Sequence, residues 1–152
     1  MKIIIATDGS KYGRNAIENC HEMISVPHDA RIKIVSIYEA PVPLAAEPFA
    51  ISADYYCQLE NIAKKRAHDA VDTARSYIRD RFGPDINISS NVEVGRPAEL
   101  IVDIAAEWNA DLIVVGSHGH GFWGRMLLGS VSDAVVHHAP CSVLVVRPER
   151  GT

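Results

Sequence analysis

The chain has 152 residues, 47% of them hydrophobic, with a formal net charge of −4. That length suits one domain with a sizeable apolar core, and the mildly acidic balance lacks the basic footprint that nucleic-acid binding normally needs. Cys20, Cys57 and Cys141 are far apart and form no Cys-x-x-Cys pair, which argues against a disulfide framework and a zinc site and for a reducing cytoplasm.

Residues 2–7 are a short β-branched run ending in Asp8-Gly9-Ser10, a turn cluster that can also cap a helix. Ala16, Ile17, Cys20 and Ile24 recur at helical spacing, and Val26-Pro27-His28-Asp29-Ala30 breaks that pattern before a second strand over 31–37. Pro41, Pro43 and Pro48 make residues 40–52 an irregular loop. The longest helical stripe follows, with Leu59, Ile62, Ala63, Ala67, Ala70, Val71, Ala74 and Ile78, and Gly83-Pro84 closes it. Lys64-Lys65-Arg66 on this helix reads as a solvated charged face.

Residues 86–94 alternate apolar and polar like a half-covered strand, and Gly95-Arg96-Pro97 turns into a helix carrying Leu100, Ile101, Ile104, Ala105 and Trp108. Pro97 suits a first helical position. A strand at 111–115, a glycine-rich loop, a helix at 130–138 and a last strand at Ser142–Val146 complete an alternation of five strands and four helices. Such an alternation implies an α/β fold with a parallel sheet covered on both faces. The start at Met1-Lys2 lacks signal-peptide character and no apolar run reaches bilayer length, so no membrane association is expected.

The loop carries the chemistry. Gly-Ser-His-Gly-His-Gly-Phe-Trp-Gly-Arg-Met-Leu-Leu-Gly-Ser-Val-Ser, from Gly116 to Ser132, reads as a strand emptying into a phosphate-binding loop and a helix start. Gly116, Gly119 and Gly129 allow positive φ and a close approach of amide N–H groups to an anion. Ser130 and Ser132 add hydroxyl donors where unpaired N–H groups and a partial positive charge favour a phosphate. Asp8 ends the first strand. Its carboxylate either accepts from an adenine amino group or a ribose hydroxyl, or makes a turn or a helix cap.

The spacing Gly116-x-x-Gly119, then Gly129-Ser130, resembles the ATP-binding branch of the universal stress proteins. So do Ile3-Ile-Ile-Ala-Thr-Asp-Gly-Ser10, Val92-Glu-Val-Gly-Arg-Pro97, Ala110-Asp-Leu-Ile-Val-Val-Gly-Ser-His-Gly119 and Ala139-Pro-Cys-Ser-Val-Leu-Val-Val146, so the resemblance spans essentially the whole chain. It implies a doubly wound five-stranded sheet of order 3-2-1-4-5, of the adenine nucleotide alpha hydrolase-like type, with the site at the switch point beyond strands one and four. It also implies roles: Ala6 and Thr7 line the base, Asp8 contacts adenosine, Ile37 offers backbone groups to adenine and Val115 packs near the ribose. Gly116 and Gly119 hold ribose and phosphates, and Gly129, Ser130, Val131 and Ser132 bind phosphates. ATP, with Mg2+ or Mn2+ carried on its phosphates, is the implied ligand, and a signalling switch toward a protein partner the implied role. A homodimer through Ser142–Val146 is expected, because that apolar edge strand needs cover and the resembling family pairs it.

Alternatives are a slow ATP hydrolase and a dimeric scaffold that binds no nucleotide. Gly119-His-Gly121-Phe-Trp-Gly124 spells the dinucleotide fingerprint but follows the fourth strand, and no acidic residue ends the next one, where Val145-Val146-Arg147 stands. No Gly-x-x-x-x-Gly-Lys-Ser/Thr occurs, which removes the usual phosphate lysine. His118 and His120 lack a third ligand at helical spacing and are not read as a metal site. Arg125 is a secondary phosphate candidate, and Phe122 and Trp123 either cover the ligand or pack locally.

Overall fold

A computed structural model describes residues 1–10, 13–14, 17–18, 25–27, 29–41, 52–117 and 128–147. Five parallel strands form one sheet: β1 (Lys2–Ala6), β2 (Arg31–Tyr38), β3 (Asn87–Val94), β4 (Leu112–Gly116) and β5 (Ser142–Val146), in the order β3-β2-β1-β4-β5. Three helices have full bounds, α1 (Ala53–Phe82), α2 (Pro97–Trp108) and α3 (Ser130–His138). Gly13, Arg14, Ile17 and Glu18 are also helical, where the first helix is expected.

The alternation of side chains along each strand splits the core in two. Ile3, Ile5, Ile32, Ile34, Leu112 and Val114 pack with Ile17 and with Val71, Ala74 and Ile78 of α1 on one face. On the other face, Ile4, Val35, Ile113 and Val115 meet Ile101 and Ala105 of α2 and Val135 of α3. Helices on both faces of an all-parallel sheet define the doubly wound class. Ile3–Ile5 of β1 and Leu112–Val115 of β4 are unbroken apolar runs because neither face of these strands meets water there.

Boundaries differ from the sequence reading by a residue or two, except in α1. Its apolar stripe begins at Leu59, yet the helix starts six residues earlier, because Ser52 caps it through Oγ, which accepts the Tyr55 N–H at 3.3 Å. The first turns are largely exposed, so they carry no buried stripe to betray them. Gly83, at φ +92°, ends the helix. The proline-rich stretch lies mostly outside the described residues.

β1 separates β2 from β4, and the chain crosses to opposite sides of β1 on its way to each. The strand order therefore reverses at β1, and in folds of this class such a reversal leaves a crevice beyond the carboxyl ends of the strands, here β1 and β4.

Candidate functional site

The first wall of the crevice grows from the end of β1. Thr7 is buried, and its N–H extends the ladder to the Val35 carbonyl at 2.9 Å. Its Oγ1 accepts the Gly9 N–H at 3.2 Å, and Asp8 Oδ1 accepts the Ser10 N–H at 2.9 Å. Gly9 takes φ +74°, and Ser10 then caps the first helix, its Oγ accepting the Gly13 N–H at 3.1 Å. Asp8 thus makes the turn that the sequence left as one of two readings, and this turn fixes its carboxylate at the crevice.

β2 contributes main-chain groups. Val35 points its carbonyl at β1, so the period of two points the N–H and C=O of Ile37 the same way. At that level β1 has already left the sheet, since its pairing with β2 ends at Ala6 and Val35. Ala6, Ile37, Val115 and Val131, four residues named from the sequence, all pack against the α2/α3-side core. Val115 is buried and Ala6, Ile37 and Val131 are half-buried, so together they bring apolar side chains to the carboxyl end of the sheet.

The second wall grows from β4. Gly116 pairs with Val146 in the sheet, and the buried Ser117 donates its N–H to the Val146 carbonyl at 2.8 Å. The Ser117 carbonyl accepts the Gly129 N–H at 2.8 Å, which joins the two ends of the glycine loop. α3 begins there without a side-chain cap, leaving the N–H groups of its first turn without intrahelical partners. Ser130 is exposed; Ser132 is buried, with its hydroxyl 3.1 Å from the Ser117 carbonyl and 3.0 Å from that of Gly129.

One expectation is corrected here. Gly129 has φ −74° and ψ 159°, and Gly116 is a strand residue, so neither takes the positive φ anticipated for it. Among the described residues the positive-φ glycines are Gly9, Gly83 and Gly95. An extended backbone is what a helix N-cap requires, so at Gly129 the absent Cβ matters for space rather than for φ. Gly119, with His118, His120, Gly121, Phe122, Trp123, Gly124 and Arg125, lies outside the described residues.

Sequence reasoning gave no role to Gly13 or Ser117, and named Ser10 only as part of a turn that can cap a helix. Gly13 stands so close to the first wall that a Cβ there would lie 2.9 Å from both Asp8 Oδ1 and Thr7 Oγ1. Ser10 and Ser117 tie down the two walls. A glycine in the first turn of a helix, three residues after a capping serine, was the available signal for Gly13.

The electrostatics near the crevice are mixed. Asp133 lies in the first turn of α3, where its negative charge favours the helix and opposes an incoming anion. At the β3–α2 turn, Arg96 Nη1 meets Glu99 Oε1 at 2.9 Å, and this hydrogen bond, followed by the charges of Glu99 and Glu39, raises the guanidinium pKa. Among the described residues, no group of three or more His, Cys, Asp or Glu side chains is placed to hold a metal ion.

Order and pairing of the strands, with helices on both faces, define a doubly wound α/β protein whose strand order reverses at β1. Residues 1–147 match the universal stress protein family, and the chain belongs to it. A universal stress protein of Thermus aquaticus is 36% identical over 146 residues, covering 95% of this chain and 97% of that one. Among solved structures, hypothetical protein MJ0577 superposes with a TM-score of 0.77 at 23% identity, covering 99% of this chain and 97% of that one. A universal stress protein in complex with cAMP gives 0.64 at 25% identity, over 96% of each chain. An Arabidopsis thaliana family member with AMP bound gives 0.65 at 18% identity, over 98% of this chain and 92% of that one.

Proposed function

We propose that this protein binds an adenine nucleotide, ATP foremost, in the crevice beyond β1 and β4, and that occupancy switches its surface toward a protein partner in a stress response. The observation that carries the reading is the convergence of three kinds of group at the switch point. These are an apolar wall (Ala6, Ile37, Val115, Val131), a carboxylate held in place by its own turn (Asp8), and an uncapped helix start joined to the end of β4 (Gly129). Base, ribose and phosphate ask for those three environments in that order. The cAMP and AMP complexes of the similar structures support an adenine nucleotide.

In this reading Ala6 and Thr7 line the base, Ile37 meets its edge with main-chain groups, and Asp8 accepts from ribose or adenine. Val115, Gly116 and Gly119 flank the ribose and first phosphates, and the N–H groups of Ser130, Val131 and Ser132 face the rest. Mg2+ or Mn2+ would arrive on the phosphate oxygens, with water and phosphate supplying most of its ligands. The chain would act as one cytoplasmic domain, and as a homodimer paired through Ser142–Val146. No described helix is long and apolar enough to cross a membrane.

Calorimetric titration with ATP, AMP and NADH in the presence of Mg2+ tests the reading. Saturable binding of ATP and AMP, weakened in Asp8→Ala, is expected. Absence of binding, or tighter binding of NADH than of ATP, refutes it.

A further inference from the structure

We infer that Ser132 is a positioning residue, whose hydroxyl sets the start of α3 against the end of β4 and so aims the helix N–H groups at a phosphate without touching it. The inference deepens the nucleotide-binding proposal and rests on it for the identity of the ligand.

A serine hydroxyl has one hydrogen to give. At Ser132 that hydrogen lies between two carbonyl oxygens, 3.1 Å from Ser117 and 3.0 Å from Gly129, and the residue is 2% exposed. Donating to a phosphate would strip both carbonyls of this donor, and while the hydrogen stays with them the oxygen presents only lone pairs, which repel an anion. A direct contact is therefore the poorer use of this group.

The contacts it makes instead close a ring. The Ser117 carbonyl receives the Gly129 N–H and the Ser132 hydroxyl, while the Gly129 carbonyl receives the Ser132 hydroxyl and the Asp133 N–H at 2.9 Å. The Ser117 N–H is bound in turn to Val146 of β5. The helix start is thereby tied to the sheet before any ligand arrives. Such preorganisation spares a phosphate the cost of ordering its own donors.

Two measurements on Ser132→Ala and Ser132→Thr test this. The first is the hydrogen exchange of the Gly129 amide in the ligand-free protein. Loss of the hydroxyl should speed it by about tenfold, a single hydrogen bond's worth, and Thr, which keeps the hydroxyl, should restore slow exchange. The second compares ATP with adenosine, which has no phosphate: Ala should weaken ATP about tenfold and leave adenosine unchanged, with Thr close to wild type. Unchanged Gly129 exchange in Ser132→Ala overturns the inference, and so does a proportionate loss of ATP and adenosine affinity, the mark of a general loosening. A wild-type protein that binds neither ligand refutes the nucleotide reading instead, and the exchange measurement alone then decides whether Ser132 is the tie.

Discussion

Gly13→Ala separates holding the fold from holding the ligand. The added Cβ would lie 2.9 Å from Asp8 Oδ1, 2.9 Å from Thr7 Oγ1 and 3.4 Å from the Asp8 nitrogen. The first two are too short for a carbon against an oxygen, so the side chains of Asp8 and Thr7 must give way. Those same oxygens accept the Ser10 and Gly9 N–H groups. Weakening two such bonds costs about 1 kcal/mol each, and replacing glycine by alanine in a helix returns about 1 kcal/mol. Net destabilisation of about 1 kcal/mol remains, roughly 2–4 °C in melting temperature for a chain of this size. Binding has no such offset. On the proposed nucleotide reading, a displaced Asp8 carboxylate would lose a charge-assisted hydrogen bond to the ligand, about 1.5–3 kcal/mol, so affinity for adenosine and ATP alike should fall roughly ten- to hundredfold. Calorimetric titration beside thermal melts reads both numbers. Binding within twofold of wild type would show that the close approach of Gly13 does not govern the carboxylate.

Asp133→Asn removes the negative charge from the first turn of α3 and should tighten ATP binding about two- to fivefold at low salt, an effect that ~1 M salt abolishes; unchanged affinity at low salt would place the phosphates elsewhere. Val146 turns its carbonyl toward β4, so Val143 and Val145 turn their N–H groups outward at the sheet edge. Val143→Pro should therefore leave the β4–β5 ladder intact and yield a monomer by sedimentation, and a variant that stays dimeric would exclude pairing through β5. Burial, followed by the charge of Asp111, raises the Cys141 thiol pKa. Its neutral form thus contributes stability that is present below the ordinary thiol pKa and lost as pH rises through the raised one. Thermal melts across the alkaline range should decline less steeply for Cys141→Ala than for wild type, and parallel declines would assign the loss to other groups.

Local chemistry determined much of this protein. Unbroken β-branched and apolar runs at Ile3–Ile5 and Ile113–Val115 specify buried strands wherever they are placed, because no partly wet arrangement suits them. Helical spacing located α1 and α2 for the same reason, and Asp8-Gly9-Ser10 marked a turn because its side chains bond their own backbone. The start of α1 left no apolar stripe, since its first turns bury no apolar side chain and periodicity reports only burial; its mark was the capping Ser52 with Asp54 in the first turn. Strand order is not a local property; it entered the sequence reading through the family resemblance. Only the tertiary structure decided how the walls of the crevice are held. The tie of Ser117 to Gly129, the Ser132 hydroxyl between two carbonyls, and the space that Gly13 leaves beside Asp8 all join residues from different turns or elements. It also decided that Gly129 is extended, for a glycine tells a reader that unusual φ is permitted, and only its neighbours in space settle whether the permission is used.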